Sequence, residues 1–218
     1  MDPVSRHLAI VPAYNEAGAI AGTIADIHAY TDFDVLVVDD GSTDRTADAA
    51  LGAGAAVLRH PFNLGIGGAV QSGYRYAKDN DYDIAVQVDG DGYRSSASRR
   101  VGIRIFASVL SVITRRRVTD PTSGFRMTTR RGINLFANDY PHDYPEVEAV
   151  LMVHAHRLES AELPVRMKAR TGGASSIGST QSVYYMVKVL LALFVGLFRS
   201  RPVPEPGQPA PVSAEHAI

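Results

Sequence analysis

The chain has 218 residues and a formal net charge of −1. This length allows one sizeable hydrophobic core, so we expect one principal domain. The near-neutral charge offers no overall attraction to nucleic acid, and we predict no nucleic-acid partner. The sequence contains no cysteine, which excludes disulfide bonds and thiolate metal sites. No long apolar run follows Met1, so we expect no signal peptide.

Strand-like and helix-like segments alternate in the first part of the chain. Short apolar runs rich in β-branched residues predict strands at His7–Pro12, Val35–Val38, Ala55–Leu58 and Ile84–Val88. The segments between them predict helices at Glu16–Tyr30, with Asn15 as N-cap, at Thr43–Leu51 and at Gly67–Asp79. Strict alternation predicts right-handed crossovers and a parallel sheet.

The pattern changes after Gly92. A basic amphipathic helix is predicted at Ser98–Ile113, where apolar residues recur at a spacing of four: Val101, Ile105, Val109 and Ile113. Arginines crowd its start and follow its end: Arg99, Arg100, Arg104 and Arg115 to Arg117. The remaining predicted elements are a strand around Gly124–Thr128, a helix at Glu146–Arg157, a strand at Ala161–Met167 and a last helix at Val183–Phe198. From Pro202 the chain is proline-rich and should be disordered.

Two of the predicted strands end in carboxylates. Asp39 and Asp40 follow the second strand, and Asp89 and Asp91 follow the fourth. Ligands of open α/β sheets bind outside the carboxyl ends of the strands, and paired carboxylates suit a hard divalent cation that meets a diphosphate. We therefore predict a nucleotide and metal site here. The alternative is that these aspartates only cap turns and helices.

Other polar groups have weaker interpretations. The run from Gly65 to Gly68 suggests a dinucleotide loop, but Val70 occupies the place of the third glycine. His154 and His156 are two residues apart and do not share a helix face, so we expect no metal site there. Glu146 and Glu148 either solvate a helix start or contact an acceptor.

Five motifs occur in a characteristic order: Pro12-Ala13-Tyr14-Asn15-Glu16, Val38 to Asp44, Asn63-Leu64-Gly65, Asp89-Gly90-Asp91-Gly92 and Thr122 to Arg126. Together they resemble the family-2 glycosyltransferases of GT-A fold, especially the polyprenyl-phosphate sugar transferases such as dolichol-phosphate mannose synthase. The resemblance covers roughly residues 8 to 178. It implies a Rossmann-like α/β domain with a mostly parallel sheet flanked by helices. It also implies an inverting transfer of a sugar from a nucleotide diphosphate to a polyprenyl phosphate.

The resemblance also implies roles for individual residues. The nucleotide would be lined by Pro12, Tyr14, Glu16, Asp39, Asp40, Asn63, Gly65 and Asp89. Asp89 and Asp91 would hold Mg²⁺ or Mn²⁺, and the acceptor and phosphates would meet Ser123, Arg126, Lys168 and Arg170. Of these, Asp91, Arg126 and Arg170 are the expected catalytic residues. No general base is assigned, because a phosphate monoester is largely ionised near neutral pH and can attack directly.

We divide the chain into a glycosyltransferase domain (1–178), an apolar C-terminal helix (179–201) and a disordered tail (202–218). The helix at Val183–Phe198 is shorter than the about 20 apolar residues that span a bilayer. Either it lies at a membrane interface beside the basic helix, or it packs in the core or against a second subunit as a homo-oligomer contact. Since the implied acceptor is a lipid, we predict a peripheral protein at the cytoplasmic face of the cell membrane.

One family feature is missing from the sequence. Several tens of residues normally separate the DxD motif from the basic helix, including a strand and a helix, whereas here Gly92 is followed at once by Tyr93. Either a segment is omitted at 92/93 or the protein is shortened. A shortened protein should have a sheet with one strand fewer and weak turnover despite nucleotide binding. The remaining alternatives are a glycosyltransferase with a non-lipid acceptor and a catalytically silent nucleotide-binding relative.

Overall fold

The computed structural model describes residues 5–88, 97–115, 117–142 and 144–163. Its strands are β1 (His7–Ala13), β2 (Asp34–Asp39), β3 (Ala56–Arg59), β4 (Ile84–Gln87) and β5 (Arg126–Thr129). Its helices are α1 (Ile20–Tyr30), α2 (Thr46–Gly52), α3 (Gly65–Asp79), α4 (Ala97–Thr114), α5 (Arg130–Asn138) and α6 (Pro145–Ala155).

These strands form one sheet in the order β3-β2-β1-β4-β5. The first four are parallel, as the alternating pattern predicts, and β5 runs antiparallel to β4. The prediction of a mostly parallel sheet is therefore confirmed, with β5 as the one antiparallel strand among those described. Helix α5 begins directly after β5, with no residue between them.

The central strand β1 contributes to both layers of the core because its side chains alternate between the two faces of the sheet. Leu8 and Ile10 pack with α3 and α5, whereas Ala9 and Val11 pack with α1 and α2. All four side chains are buried, with at most 1% of their surface exposed. A strand that is buried on both faces reads as a continuous apolar run, which is how this segment was recognised.

A second, smaller cluster joins α4 to α6. It consists of Phe106, Leu110, Tyr144 and Val147. The apolar side of α4 is thus centred on Phe106 and Leu110, while Val109 and Ile113 of the predicted stripe are only half-buried.

Two helix starts differ from the prediction because side chains in the preceding loops form other bonds. Helix α1 begins at Ile20 rather than Glu16, and Asn15 is not its N-cap. Asn15 has a positive φ of 56° and bonds to the loop after β2. Helix α2 begins at Thr46 rather than Thr43 for the complementary reason, since Thr43 and Asp44 bond back to the loop after β1.

Helix α5 was missed by the sequence analysis. It buries Ile133, Phe136 and Ala137 against the main core, and the ring of Phe136 packs against that of Tyr74 in α3, with 5.1 Å between centroids and a tilt of 45°. Nine residues give only two turns of apolar periodicity, and no turn residue separates the helix from β5. A strand predicted at Ala161–Met167 is not formed at residues 161–163, and its remainder lies outside the described residues.

Several sequence predictions concern residues that the structure does not describe. These are the junction at Gly92–Tyr93, the helix at Val183–Phe198 and the tail from Pro202. Within the described part of the chain, no helix is long and apolar enough to cross a membrane. Strand β5 pairs only with β4 among the described residues.

The packing of α3 on β1 generates a testable expectation. A Cβ atom on Gly73 would lie 2.3 Å from Cγ2 of Ile10 in the central strand. We expect Gly73→Ala to lower the free energy of unfolding by about 1–3 kcal/mol through overpacking, as measured by urea denaturation. Gly22→Ala on α1 is the matched control, because no atom lies within 4 Å of its added Cβ. Gly22→Ala should raise the free energy of unfolding by up to about 1 kcal/mol, because alanine is a better helix former than glycine. Equal effects of the two substitutions would contradict the close packing of Gly73 on Ile10.

Candidate functional site

The carboxyl ends of β1, β2 and β3 lie side by side. Ala13 is in register with Asp39, and Asp39 is in register with Arg59. The three strands therefore end at one level, and the loops that follow them meet at the same edge of the sheet. This is the edge where open α/β sheets bind their ligands.

The loop after β1 is bonded to the loop after β2 by four side chains. The backbone N–H of Asn15 donates to Ser42 Oγ at 2.9 Å, and the backbone N–H of Thr43 donates to Asn15 Oδ1 at 2.9 Å. The backbone N–H of Glu16 donates to Thr46 Oγ1 at 2.8 Å. The left-handed conformation of Asn15 turns its side chain toward this neighbour, which explains why it does not cap α1.

Asp44 is the fourth of these side chains. Its carboxylate accepts a hydrogen bond from the Thr46 hydroxyl and another from the backbone N–H of Ala17, at 3.1 Å. The Thr46 hydroxyl is the largest of the effects that hold the pKa of Asp44 below its usual value, since hydrogen bonds to the charged form favour it. Asp44 therefore stays ionised and keeps the start of α2 attached to the loop after β1.

Asp40 holds the third loop, between β3 and α3. Its Oδ1 accepts the backbone N–H of Leu64 and its Oδ2 accepts that of Gly65, both at 2.9 Å. These are the first amides of α3, whose own N-cap residue provides no side-chain bond. His60 Nδ1 lies 2.8 Å from Asp40 Oδ1. Asp40 is only 4% exposed, and both of its oxygens already accept bonds from this loop.

Asp39 differs from its neighbour. It is fully buried; its Oδ1 accepts the backbone N–H of Ser42 at 2.9 Å, and its Oδ2 lies 3.3 Å from Nε of Arg59. That ion pair is not aligned as a hydrogen bond, and among the described residues no donor satisfies Oδ2. Of the two aspartates, Asp39 is thus the one with a carboxylate oxygen that accepts no hydrogen bond from the described residues. A cavity of about 320 Å³ is lined by Gly41, Ser42, Arg59, His60 and Pro61, and so includes its two bonding partners Ser42 and Arg59.

Gly41 allows the loops after β2 and β3 to approach each other closely. Its φ is +73°, and an added Cβ would lie 2.6 Å from the backbone carbon of Phe62. Both the left-handed conformation and the lack of space require glycine. The residue that follows the two aspartates therefore rests directly on the loop that precedes α3.

The remaining predicted nucleotide residues lie at the same edge. Pro12 is buried in β1, Tyr14 is 48% exposed just beyond it, and Asn63 accepts the backbone N–H of Gly65 through Oδ1 at 2.9 Å. Gly65 begins α3 with a φ of +82°. Glu16 is half-buried in the first loop. The structure thus brings together Pro12, Tyr14, Glu16, Asp39, Asp40, Asn63 and Gly65.

Arg126 lies at the far side of this edge. It is the first residue of β5 and is in register with Gln87, the last residue of β4. Its Nη2 donates to the backbone carbonyl of Glu146 at 3.1 Å, which ties β5 to the start of α6. The Tyr74 phenol is buried nearby, and burial raises its pKa. A fixed positive charge therefore flanks the point where the chain leaves β4 toward Asp89.

Four predicted site residues lie outside the described residues: Asp89, Asp91, Lys168 and Arg170. Within the described ranges no cluster of three or more histidine, aspartate or glutamate side chains could hold a metal ion. The sequence analysis did not assign the residues that hold the loops, namely Ser42, Thr43, Asp44, Thr46, Arg59 and His60. Asp44 and Ser42 belong to a recognised motif, but no sequence pattern distinguishes a loop-holding polar residue from a ligand-binding one.

The different partners of the two aspartates predict different stabilities of their variants. Asp40→Asn places an amide N–H₂ opposite backbone donors, so we expect unfolding in urea to show a loss of about 2–3 kcal/mol. Asp39→Asn keeps the acceptor for Ser42 and removes a buried charge, so the loss should stay within about 1 kcal/mol. Similar losses in the two variants would contradict the division of roles between them.

Comparison with known proteins identifies the family. The family model "Glycosyl transferase family 2" matches residues 8–134. An undecaprenyl-phosphate mannosyltransferase of Micrococcus luteus is 39% identical over 93 residues, which are 40% of this chain and 38% of the relative. A polyprenol monophosphomannose synthase of Mycolicibacterium smegmatis is 32% identical over 97 residues, covering 41% of this chain and 37% of the relative. The chain therefore matches well under half the length of these curated relatives.

The fold is also found among solved structures. Glucosyl-3-phosphoglycerate synthase from Mycobacterium tuberculosis, in complex with Mn²⁺, UDP and glucosyl-3-phosphoglycerate, superposes with a TM-score of 0.67. The match covers 88% of this chain and 80% of that chain at 19% sequence identity, so it concerns the fold alone. It confirms the predicted GT-A, Rossmann-like architecture. This chain therefore belongs to glycosyl transferase family 2, as the matching family model shows. The five ordered motifs and the sheet of the chain agree with that assignment.

Proposed function

We propose that the protein transfers a sugar from a nucleoside diphosphate sugar to a polyprenyl phosphate. The observation that carries the proposal is Asp39, a fully buried carboxylate with an unsatisfied oxygen at the edge where three loops converge. A carboxylate only accepts hydrogen bonds, so this oxygen suits an N–H group of a base or a hydroxyl of a ribose. The exposed ring of Tyr14 provides an adjacent surface on which a base can pack.

In this proposal the three loops hold the nucleotide. Pro12, Tyr14, Glu16 and Asp39 line the nucleoside, while Asn63 and Gly65 border it from the loop before α3. Asp40 contributes by fixing that loop, since both of its oxygens accept bonds within the protein. A site that is held rigid before the ligand arrives loses less entropy on binding.

A divalent cation fits the chemistry of the predicted donors. Asp89 and Asp91 would hold Mg²⁺ or Mn²⁺, and carboxylate oxygens are the ligands that both ions prefer. When bound, the ion would offset the negative charge of the departing diphosphate. Arg126 adds a fixed cation beside the end of β4 without being consumed in a proton transfer.

The acceptor is proposed to react through its own phosphate. A phosphate monoester oxygen attacks the anomeric carbon as the bond to the diphosphate breaks, which inverts the configuration at that carbon. Ser123, Arg126, Lys168 and Arg170 are proposed to bind the phosphates, with Asp91, Arg126 and Arg170 closest to the reacting groups. No side chain then needs to remove a proton from the nucleophile.

The named relatives support a lipid acceptor. Both curated relatives described above carry names that refer to polyprenyl or undecaprenyl phosphate. Exposed arginines at the end of α4, Arg115 and Arg117, together with Arg104, provide cationic groups that suit anionic headgroups. We propose a peripheral location at the cytoplasmic face of the membrane. The phosphoglycerate named for the structural neighbour defines the competing acceptor class, a small soluble phosphate.

Donor and metal are tested by calorimetric titration of UDP-, GDP- and dTDP-sugars with and without Mn²⁺. We expect one sugar nucleotide to bind in a Mn²⁺-dependent manner. In Asp91→Asn this dependence should be lost, because a neutral amide replaces a ligand oxygen. Asp32→Asn, at an exposed position before the start of β2 and therefore at the opposite edge of the sheet, is the control and should bind like the wild type. Wild-type affinity of Asp91→Asn in Mn²⁺ would remove the metal assignment, and metal-dependent binding without turnover would favour the silent relative.

The acceptor is tested with the donor identified in that titration. Radiolabelled sugar should transfer to a polyprenyl phosphate in detergent micelles and not to 3-phosphoglycerate. Because the attacking group is the phosphate, the corresponding polyprenol should not react in the same micelles. Transfer to 3-phosphoglycerate alone would establish a soluble acceptor and overturn the lipid proposal.

A further inference from the structure

A hydrogen-bonded chain of three side chains connects the residue after β2, the residue after β3 and the middle of α3. Asp40 Oδ1 lies 2.8 Å from His60 Nδ1, and His60 Nε2 lies 3.0 Å from Ser72 Oγ. Asp40 is 4% exposed and His60 is 7% exposed, so neither exchanges freely with solvent. His60 is the middle member, bonded to Asp40 on one side and to Ser72 on the other. The proposed reaction assigns it no role.

The carboxylate of Asp40 determines which nitrogen of the His60 ring donates a hydrogen bond to it. An ionised carboxylate has no proton to donate, so Nδ1 of His60 carries the proton in this bond. Nε2 then faces the Ser72 hydroxyl, which can act as donor or acceptor. Both ring nitrogens of His60 therefore have a partner, and the Asp40–His60–Ser72 chain acts as a support.

This support acts on the loop that borders the candidate nucleotide site. Asp40 accepts the backbone N–H groups of Leu64 and Gly65, which start α3. The same loop carries Phe62, whose backbone lies against Gly41. Beyond Gly41, the backbone N–H of Ser42 holds Oδ1 of Asp39. The orientation of the Asp40 carboxylate thus sets the loop before α3 and, through Gly41 and Ser42, the carboxylate of Asp39, which the proposed function assigns to the nucleotide.

We propose that His60 is a positioning residue for nucleotide binding, acting through the hydrogen bond from Nδ1 to Asp40. The inference rests on the proposed function, because it names what the fixed loop is for. His60 touches neither base nor phosphate in this account. It holds Asp40 in the one orientation that satisfies both amides of α3, and it prevents the loop from adopting others in the free protein.

Two amide variants separate the two nitrogens of the ring. The side-chain N–H₂ of asparagine takes the approximate place of Nδ1, and that of glutamine takes the approximate place of Nε2. We expect His60→Asn to bind the identified nucleoside diphosphate within about twofold of the wild type, since the donor to Asp40 is retained. His60→Gln and His60→Ala should each bind about tenfold more weakly, because Asp40 loses a charge-assisted bond. Affinity is measured by calorimetry with UDP and GDP at neutral pH.

Two controls distinguish positioning from a general loss of stability. Leu8→Ala shortens a buried side chain at the start of β1, at the opposite edge of the sheet, so the variant should unfold at lower urea concentration while nucleotide affinity stays unchanged. His28→Ala removes an exposed histidine on α1 and should change neither quantity. Equal affinity of His60→Ala and the wild type, or no difference between the asparagine and glutamine variants, would overturn the proposal.

Hydrogen exchange of the free protein tests the support without any ligand. The amides of Leu64 and Gly65 should exchange at least about tenfold faster in His60→Ala and His60→Gln, and at the wild-type rate in His60→Asn. Unchanged exchange in all three variants would refute the support itself. If exchange changes as expected but the wild type binds no nucleoside diphosphate, the proposed function fails, and with it the role of His60 in binding.

Discussion

The candidate site depends on the burial of one carboxylate. Asp40 lies almost out of contact with water, and an ionised group in that position is stable only if its oxygens are well bonded. The protein satisfies it with the first two amides of α3 and with His60. Amides at a helix start are themselves unpaired and carry partial positive charge. The carboxylate of Asp40 and the first amides of α3 thus satisfy each other's hydrogen-bonding groups. Their bonds also hold the start of α3 against the end of β2.

The pleat of β2 explains why two adjacent aspartates have different surroundings. Successive side chains of a strand point to opposite faces of the sheet, so Asp39 and Asp40 face different layers. Asp40 meets α3, which covers one face, while Asp39 meets Ser42 and Arg59. Both oxygens of Asp40 therefore accept hydrogen bonds within the protein, whereas Oδ2 of Asp39 accepts none from the described residues. A buried acceptor without a donor is costly, and in the proposed function the nucleotide supplies the missing bond.

The sequence predicts the strands better than the loops. Strands β1 to β4 were recognisable because apolar runs of β-branched residues are unambiguous when they are buried on both faces. Asn15, by contrast, has the composition of an N-cap, and only its contact with Thr43, 28 residues away, reveals its other role. Strand β5 was predicted from its sequence near Gly124–Thr128, whereas helix α5 was missed, since it follows the strand without a turn signal and is too short for clear periodicity. The motifs indicated which residues meet at this edge, but only the long-range contacts show which of them hold the loops together.

The bonds among the loops give a physical reason for the motifs to occur together. The side chains of Asn15, Ser42, Asp44 and Thr46 join the first two loops, and Asp40 and His60 join the second to the third. A change in any one of them leaves a polar partner in another loop unsatisfied, so the segments constrain one another even though each contacts a ligand at few points. The three loops at this edge are therefore joined to one another, whereas β5 is joined to the start of α6 by the separate bond from Arg126 to Glu146. Under the proposed function, the loops would orient the donor and Arg126 would orient the acceptor phosphate. Two different parts of the fold would then set the two specificities, so that sequence change around β5 and α6 would alter the acceptor while leaving the nucleotide site intact.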